Sequence, residues 1–196
     1  LFPYTTLFRS GGVRMLTGYT KGQMFGLYFT INPISRLNIF IDFQRINSRG
    51  RYFNQENKSD QLLISSSYYN KSGAYKINGG LQLNRAKNLE WGGVVDTLDF
   101  QNNIFSNREL IPVQLNASAS AARQLLLSLE QQLRIFQVAS SEISAFYNFR
   151  STGQSHSFTS SDSVFVTDAV FQTTPIRDSI RFTMIENFAG LKWRLE

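Results

Sequence analysis

The chain has 196 residues, of which 42% are apolar, 14% aromatic and 17% charged, with four prolines and no cysteine. Twenty Lys and Arg against fourteen Asp and Glu leave a net charge of +6. This composition excludes intrinsic disorder, a disulfide framework and any thiolate metal site or nucleophile. The absence of a run of about 18 apolar residues excludes a transmembrane helix, but not a membrane-spanning β-barrel, whose alternating strands never look hydrophobic on average.

Residues 1–10, from Leu1-Phe2-Pro3-Tyr4 to Leu7-Phe8-Arg9-Ser10, resemble the translation of a sequencing-adapter oligonucleotide. They are expected to be an adapter-derived artefact. The genuine protein is then expected in residues 11–196, cut at about Gly11, so that a missing signal peptide says nothing about location.

From Gly22 onward the pattern has period two, the mark of strands with one apolar and one polar face. In Gln23 to Asn32, Phe25, Leu27, Phe29 and Ile31 share a side. In Arg36 to Asn47, Leu37, Ile39, Ile41 and Phe43 oppose Asn38, Phe40, Asp42 and Gln44. Asp60 to Asn70 sets Leu62, Ile64 and Tyr68 against Gln61, Ser65 and Ser67. Gly73 to Asn84 sets Tyr75, Ile77, Leu81 and Leu83 against Lys76, Asn78, Gln82 and Asn84. In Arg123 to Phe136, Leu125, Leu127, Leu129, Leu133 and Ile135 alternate with Gln124, Ser128, Glu130, Gln132 and Arg134, which decides for a strand over a Leu-rich helix. Glu142 to Arg150 has Ile143, Ala145, Tyr147 and Phe149 opposite Ser144, Asn148 and Arg150. Arg181 to Leu195 sets Ile185, Ala189, Leu191, Trp193 and Leu195 against Glu186, Lys192 and Arg194.

The connections alternate in length. Asn32-Pro33-Ile34-Ser35, Asn70-Lys71-Ser72-Gly73 and Gln137 to Ser141 read as short turns. Ser48 to Ser59, Arg85 to Ala122 and Ser151 to Ile180 read as long polar loops, with Val113 to Ala121 a local strand or extension above the membrane. The expected fold is all-β: an antiparallel up-and-down transmembrane β-barrel, incomplete, with about seven spanning strands. Tyr28, Phe43, Tyr69, Tyr75 and Trp193, near strand ends, are candidates for interfacial girdles. Period two does not distinguish inside from outside, so a soluble β-barrel or sandwich is the competing architecture. The loop asymmetry, and polar faces rich in Asn, Gln and Ser, favour the membrane form.

In that form the residues expected to face the lumen are Asn38, Asp42, Gln44, Lys76, Asn78, Gln82, Glu130, Gln132, Arg134, Asn148, Arg150, Glu186, Lys192 and Arg194. Five cations against three anions suggest a mild preference for anionic solutes. The alternative is that these charges pair across strands and stiffen the wall.

Four further stretches carry a family likeness: Asn47-Ser48-Arg49-Gly50-Arg51-Tyr52-Phe53-Asn54-Gln55, Glu90-Trp91-Gly92-Gly93-Val94-Val95-Asp96, Ile111-Pro112-Val113-Gln114-Leu115-Asn116-Ala117 and Glu186-Asn187-Phe188-Ala189-Gly190-Leu191. In order and spacing, from about Thr20 to Glu196, the chain resembles the putative porin family of Bacteroidetes outer membranes. The resemblance implies a longer chain, with a signal sequence before this piece and more strands after it.

Catalytic chemistry is not indicated. His156 is the only histidine, in the polar stretch Gln154-Ser155-His156-Ser157-Phe158, without a nucleophile elbow or partner ligands. Asp96, Asp99 and Glu109 match no calcium-loop spacing. Gly79-Gly80 and Gly92-Gly93 precede no helix, so they are not phosphate cradles; the first pair is expected to permit a bend or close packing. Lys and Arg are scattered rather than clustered, which argues against nucleic acid.

The expected function is a porin-like channel in the bacterial outer membrane for passive diffusion of small hydrophilic solutes. Its partners are the lipid bilayer and those solutes; no cofactor, metal or enzymatic activity is expected. The alternatives are a non-channel outer-membrane barrel acting as surface receptor or scaffold, and a soluble all-β binding domain.

Overall fold

The computed structural model describes residues 9–18, 21–138, 141–162 and 175–195. Eight antiparallel strands form one sheet, each paired with its neighbours in sequence. They are β1 (Arg9–Thr17), β2 (Gly22–Ile34), β3 (Leu37–Ser48), β4 (Asn57–Tyr69), β5 (Tyr75–Glu90), β6 (Ser118–Val138), β7 (Ser141–Ser160) and β8 (Ile176–Leu195). A short helix, α1 (Thr97–Gln101), and a 3-10 turn (Arg108–Leu110) stand between β5 and β6. β1 and β8 do not pair with each other, so the sheet is open, as part of a barrel is. No helix among the described residues is long and apolar enough to cross a membrane.

The described residues hold eight strands where about seven were expected, because β1 carries no clean alternation. Met15 and Leu16 are adjacent, and Gly11-Gly12 contributes no side chains. Main-chain pairing places it instead, from Arg9 opposite Ile31 to Thr17 opposite Gln23. Gly12 lies opposite Tyr28, whose ring would stand 2.5 Å from a Cβ there, so glycine lets the ring lie against the strand. Of the ten residues expected to be adapter-derived, the first eight lie outside the described residues, and Arg9 and Ser10 open β1.

Two-residue Ser35-Arg36, the Asn70–Ala74 turn, and the strand ends at Val138 and Ser141 lie at one end of the sheet. The other end carries Gly18 and Lys21, residues 49–56 and 91–117, and Ser161, Asp162 and Pro175. The added strand therefore leaves the parity intact. The loops are shorter than expected. β5 runs to Glu90, β6 begins at Ser118, and Ser151–Ser160, expected in a loop, continues β7. Val113 to Ala121 divides: Val113 makes an isolated bridge with Val94, and residues from Ser118 belong to β6. Beyond an apolar belt both faces of a strand are polar, so periodicity is silent while the hydrogen-bond ladder continues.

Directly paired residues share a face, and the register sorts the side chains of all eight strands. One face carries rows such as Ile41–Ile64–Leu81–Leu127 and Phe43–Leu62–Leu83–Leu125. On β8 this face runs from Thr183 to Trp193. Ten strand steps span about 33 Å, which a tilt of about 40° reduces to about 25 Å, the height of the apolar band of an outer-membrane barrel. A bulge at Arg134/Phe136 places Phe136 opposite Ile143, so Phe136 takes the row position expected for Ile135. Of the five girdle candidates, Phe43, Tyr75 and Trp193 are on this face, whereas Tyr28 and Tyr69 register with Asp42 and Lys76 on the other. Aromatic identity does not select a face; register does.

No second layer among the described residues covers the apolar side. Among the described residues only Ile111, Val113 and Ile176 are buried apolar residues, while Leu127, Leu133, Leu191 and Trp193 remain exposed. The accessible surface is 14244 Å², against about 9,400 Å² for a folded soluble chain of this mass. Among the described residues of β2 to β8, the strand charges on the apolar face are confined to its loop-side part: Arg45, Lys58, Arg85, Lys87, Arg123, Arg177 and Arg181, with Asp60 the single anion.

Candidate functional site

The opposite face is a polar wall. All fourteen residues expected at a lumen fall on it: Asn38, Asp42 and Gln44 on β3, Lys76, Asn78 and Gln82 on β5, Glu130, Gln132 and Arg134 on β6, Asn148 and Arg150 on β7, and Glu186, Lys192 and Arg194 on β8. One row reads Gln44–Gln61–Asn84–Gln124–Gln154, five amides on consecutive strands. Asn84 Nδ2 donates to Gln124 Oε1 at 2.8 Å, and Gln82 Nε2 donates to Asn84 Oδ1 at 3.3 Å. Gln132 Nε2 donates to Ser144 Oγ at 3.1 Å. Such amides present both donors and acceptors at the surface of the wall. The wall is not wholly polar, because the row through Gln82 also holds Leu63 and Leu126. Gly80 serves close packing: a Cβ there would stand 2.8 Å from Ser128 Oγ.

The charges on this wall pair more than the sequence count implies. Arg14, on the unrecognised strand β1, donates to Asp42 at 2.8 Å and lies over the Tyr28 ring. Arg150 stands 3.9 Å from Glu186. Arg134 donates to the Ser72 carbonyl at 2.9 Å and braces the Asn70–Ala74 turn. The register adds Arg14, Glu90, Glu142 and Asp178 to the wall, with Arg194 opposite Glu142. Among the described strand residues the total is six cations (Arg14, Lys76, Arg134, Arg150, Lys192, Arg194) and six anions (Asp42, Glu90, Glu130, Glu142, Asp178, Glu186). The positive excess counted from the sequence disappears. Lys76, Glu130, Asn148 and Lys192 line a depression of about 300 Å³ with Gln132 and Ser144.

At the loop end, three of the recognised stretches meet. Asn54, at φ 56°, turns its Nδ2 onto the carbonyls of Glu90 (2.7 Å), Leu115 (3.1 Å) and Ser118 (3.3 Å). Tyr52 stacks on Trp91 with centroids 4.7 Å apart and planes within 5°. Val95 N donates to Pro112 O, Gln114 N to Gly93 O and Leu115 N to Trp91 O, closing residues 91–115 into a hairpin-like fold. Gly92 has φ 67° and its missing Cβ would lie 2.6 Å from Leu115, so glycine is required twice over.

Asp162 fastens the neighbouring corner. Its carboxylate accepts from Asn116 N, Ala117 N and the hydroxyls of Ser118 and Ser160. Desolvation by burial pushes its pKa up, but these four hydrogen bonds together outweigh it and hold the carboxyl below its ordinary value. Glu109 is likewise held below the usual carboxylate range by the hydrogen bond and charge of Lys21, with which it joins the residue 18–21 connection to the long loop.

His156 lies in β7 rather than in a loop, opposite Ala122 and Ile180. Asp96 caps α1 through Leu98 N, and Glu109 pairs with Lys21, so these carboxylates do separate work. No group of three metal-ligating side chains occurs among the described residues. Sequence reasoning missed Arg14, Asn54 and Asp162 as organising residues. The turn residues around Asn54 were visible, but its three carbonyl partners are distant in sequence.

No match was found among curated proteins or among solved structures. One family model, described as Putative porin, matches residues 2–196. The match spans both the polar wall and the loop cluster, and the chain therefore belongs to this porin family.

Proposed function

We propose that the sheet is part of a closed outer-membrane β-barrel and that its polar wall lines a water-filled channel passing small hydrophilic solutes by passive diffusion. The observation that carries this reading is the sorting of side chains by register. Every strand from β3 to β8 puts a leucine-, isoleucine- or aromatic-bearing side on one face and amides or charges on the other. The uncovered apolar face suits lipid, and the membership in a porin family supports the channel. The long connections mark the external end and the short turns the periplasmic end.

In this reading the wall does no covalent chemistry and needs no cofactor. The six cations and six anions among its described strand residues, several paired, make it weakly selective. The full-length protein in a planar bilayer should give stepwise, ohmic conductance with a reversal potential near zero under a KCl gradient. A folded barrel that inserts without conducting would overturn the channel and leave a surface receptor or scaffold. Strong selectivity for either ion would overturn the balance of charge at the wall.

A further inference from the structure

From β2 to β8 the described part of the apolar face is charged only toward its loop end, and one register row there has an unusual content. Across β3 to β8 it reads Arg45, Asp60, Arg85, Arg123, Ser155 and Arg181. Arg45 Nε donates to Asp60 Oδ1 at 2.6 Å, which occupies the row's one carboxylate. Arg85 and Arg123 are direct cross-strand neighbours of like charge, an unfavourable pairing in a sheet. Neither they nor Arg181 forms an ion pair among the described residues, and all three are exposed.

Ser155 stands between Arg123 and Arg181 in the row. The surface there is hollowed by about 490 Å³, lined by Arg123, Ser155, Ser157, Ser179 and Arg181. Guanidinium forks and serine hydroxyls are donors suited to a tetrahedral oxyanion. The adjoining row toward the turns, with Leu83 and Leu125, already belongs to the apolar belt. A ligand that fits both has an anionic head and an apolar tail.

We propose that Arg85, Arg123 and Arg181, with Ser155, bind the phosphate of phosphorylated lipid headgroups in the leaflet on the long-loop side. The array faces away from the channel, so it tethers the barrel to its bilayer rather than selecting solutes. This inference rests on the membrane reading above. Each surface cation near an anionic headgroup contributes about a five-fold preference.

The test is lipid selectivity of the full-length barrel in phosphatidylcholine vesicles carrying one spin-labelled lipid, either phosphatidic acid or phosphatidylcholine. The motionally restricted fraction should favour phosphatidic acid by about five-fold or more. R85Q/R123Q/R181Q should bring the ratio to about one, while K76Q/K192Q on the polar wall should leave it unchanged. Ser155→Asp retains every cation and places a carboxylate between Arg123 and Arg181, so it should also abolish the preference without depending on the folding of the triple variant. A wild-type ratio near one, or a preference that survives both R85Q/R123Q/R181Q and Ser155→Asp, overturns the site. Abolition of the preference by millimolar inorganic phosphate overturns it too, in favour of a free-anion site. A chain that restricts neither lipid fails the membrane reading itself, a result distinguishable from the others.

Discussion

Loss of the Asn54 side chain should be felt along the whole connection from β5 to β6. Its amide has two protons and three carbonyl acceptors, at 2.7, 3.1 and 3.3 Å, near both ends of residues 91–117. Each net hydrogen bond contributes about 0.5–1.5 kcal/mol, so removing two should cost about 1–3 kcal/mol of loop closure. Asn54→Gly measures that loss, since glycine tolerates the φ of 56° found there. Asn54→Ala should cost about 1 kcal/mol more, because alanine in the left-handed region lacks the local polar compensation of asparagine. Native-state hydrogen exchange of the full-length barrel reads both, at the amides of Val95, Gln114 and Leu115 that close the loop. At ten-fold per about 1.4 kcal/mol, exchange should quicken about five- to 150-fold in the glycine variant. The alanine variant should exchange about five-fold faster again. Amides in the middle of β4 to β7 should be unaffected. Unchanged loop protection in both variants, or equal rates for alanine and glycine, would refute the reasoning.

Two other perturbations test the two faces and the loop corner. Leu126 and Leu127 are adjacent, but Leu126 registers with Gln82 on the polar wall and Leu127 with Leu81 on the apolar face. In lipid-vesicle folding titrations, Leu127→Lys should destabilise by about 2–4 kcal/mol and Leu126→Lys by much less; similar costs would contradict the assigned orientation. The Asp162 carboxyl is depressed in the folded chain, so its stabilisation is complete above the ordinary value of 3.8 and is lost as pH falls below that through the native value. Protease cleavage near residues 116–118 should therefore rise in acid. Asp162→Asn should show raised cleavage already at neutral pH and no acid step, and an acid step of wild-type size in that variant would count against the assignment.

The strands with an apolar side were legible because a half-buried strand must alternate. Leu125, Leu127 and Leu129 against Gln124, Ser128 and Glu130 leave one backbone period that satisfies both sides. Face membership at the wall followed from the same rule, which is why Lys76, Glu130, Asn148 and Lys192 come together at one depression. Alternation is a signal of partition, however, and it vanishes where there is nothing apolar to partition. β1, with its glycines, and the outer part of β7 around His156 are strands by hydrogen-bond pairing alone. The side-chain hydrogen bonds of Arg14 and Asn54 reach residues 28 and 36 to 64 positions away, and all those of Asp162 except the one from Ser160 reach 44 to 46 positions, distances over which one sequence carries no pairing information. The sequence by itself determined an alternating all-β chain with unequal connections. Only the tertiary register decided that Arg85, Arg123 and Arg181 align on the apolar face while the amides align on the opposite one, because a one-residue slip in pairing exchanges the faces.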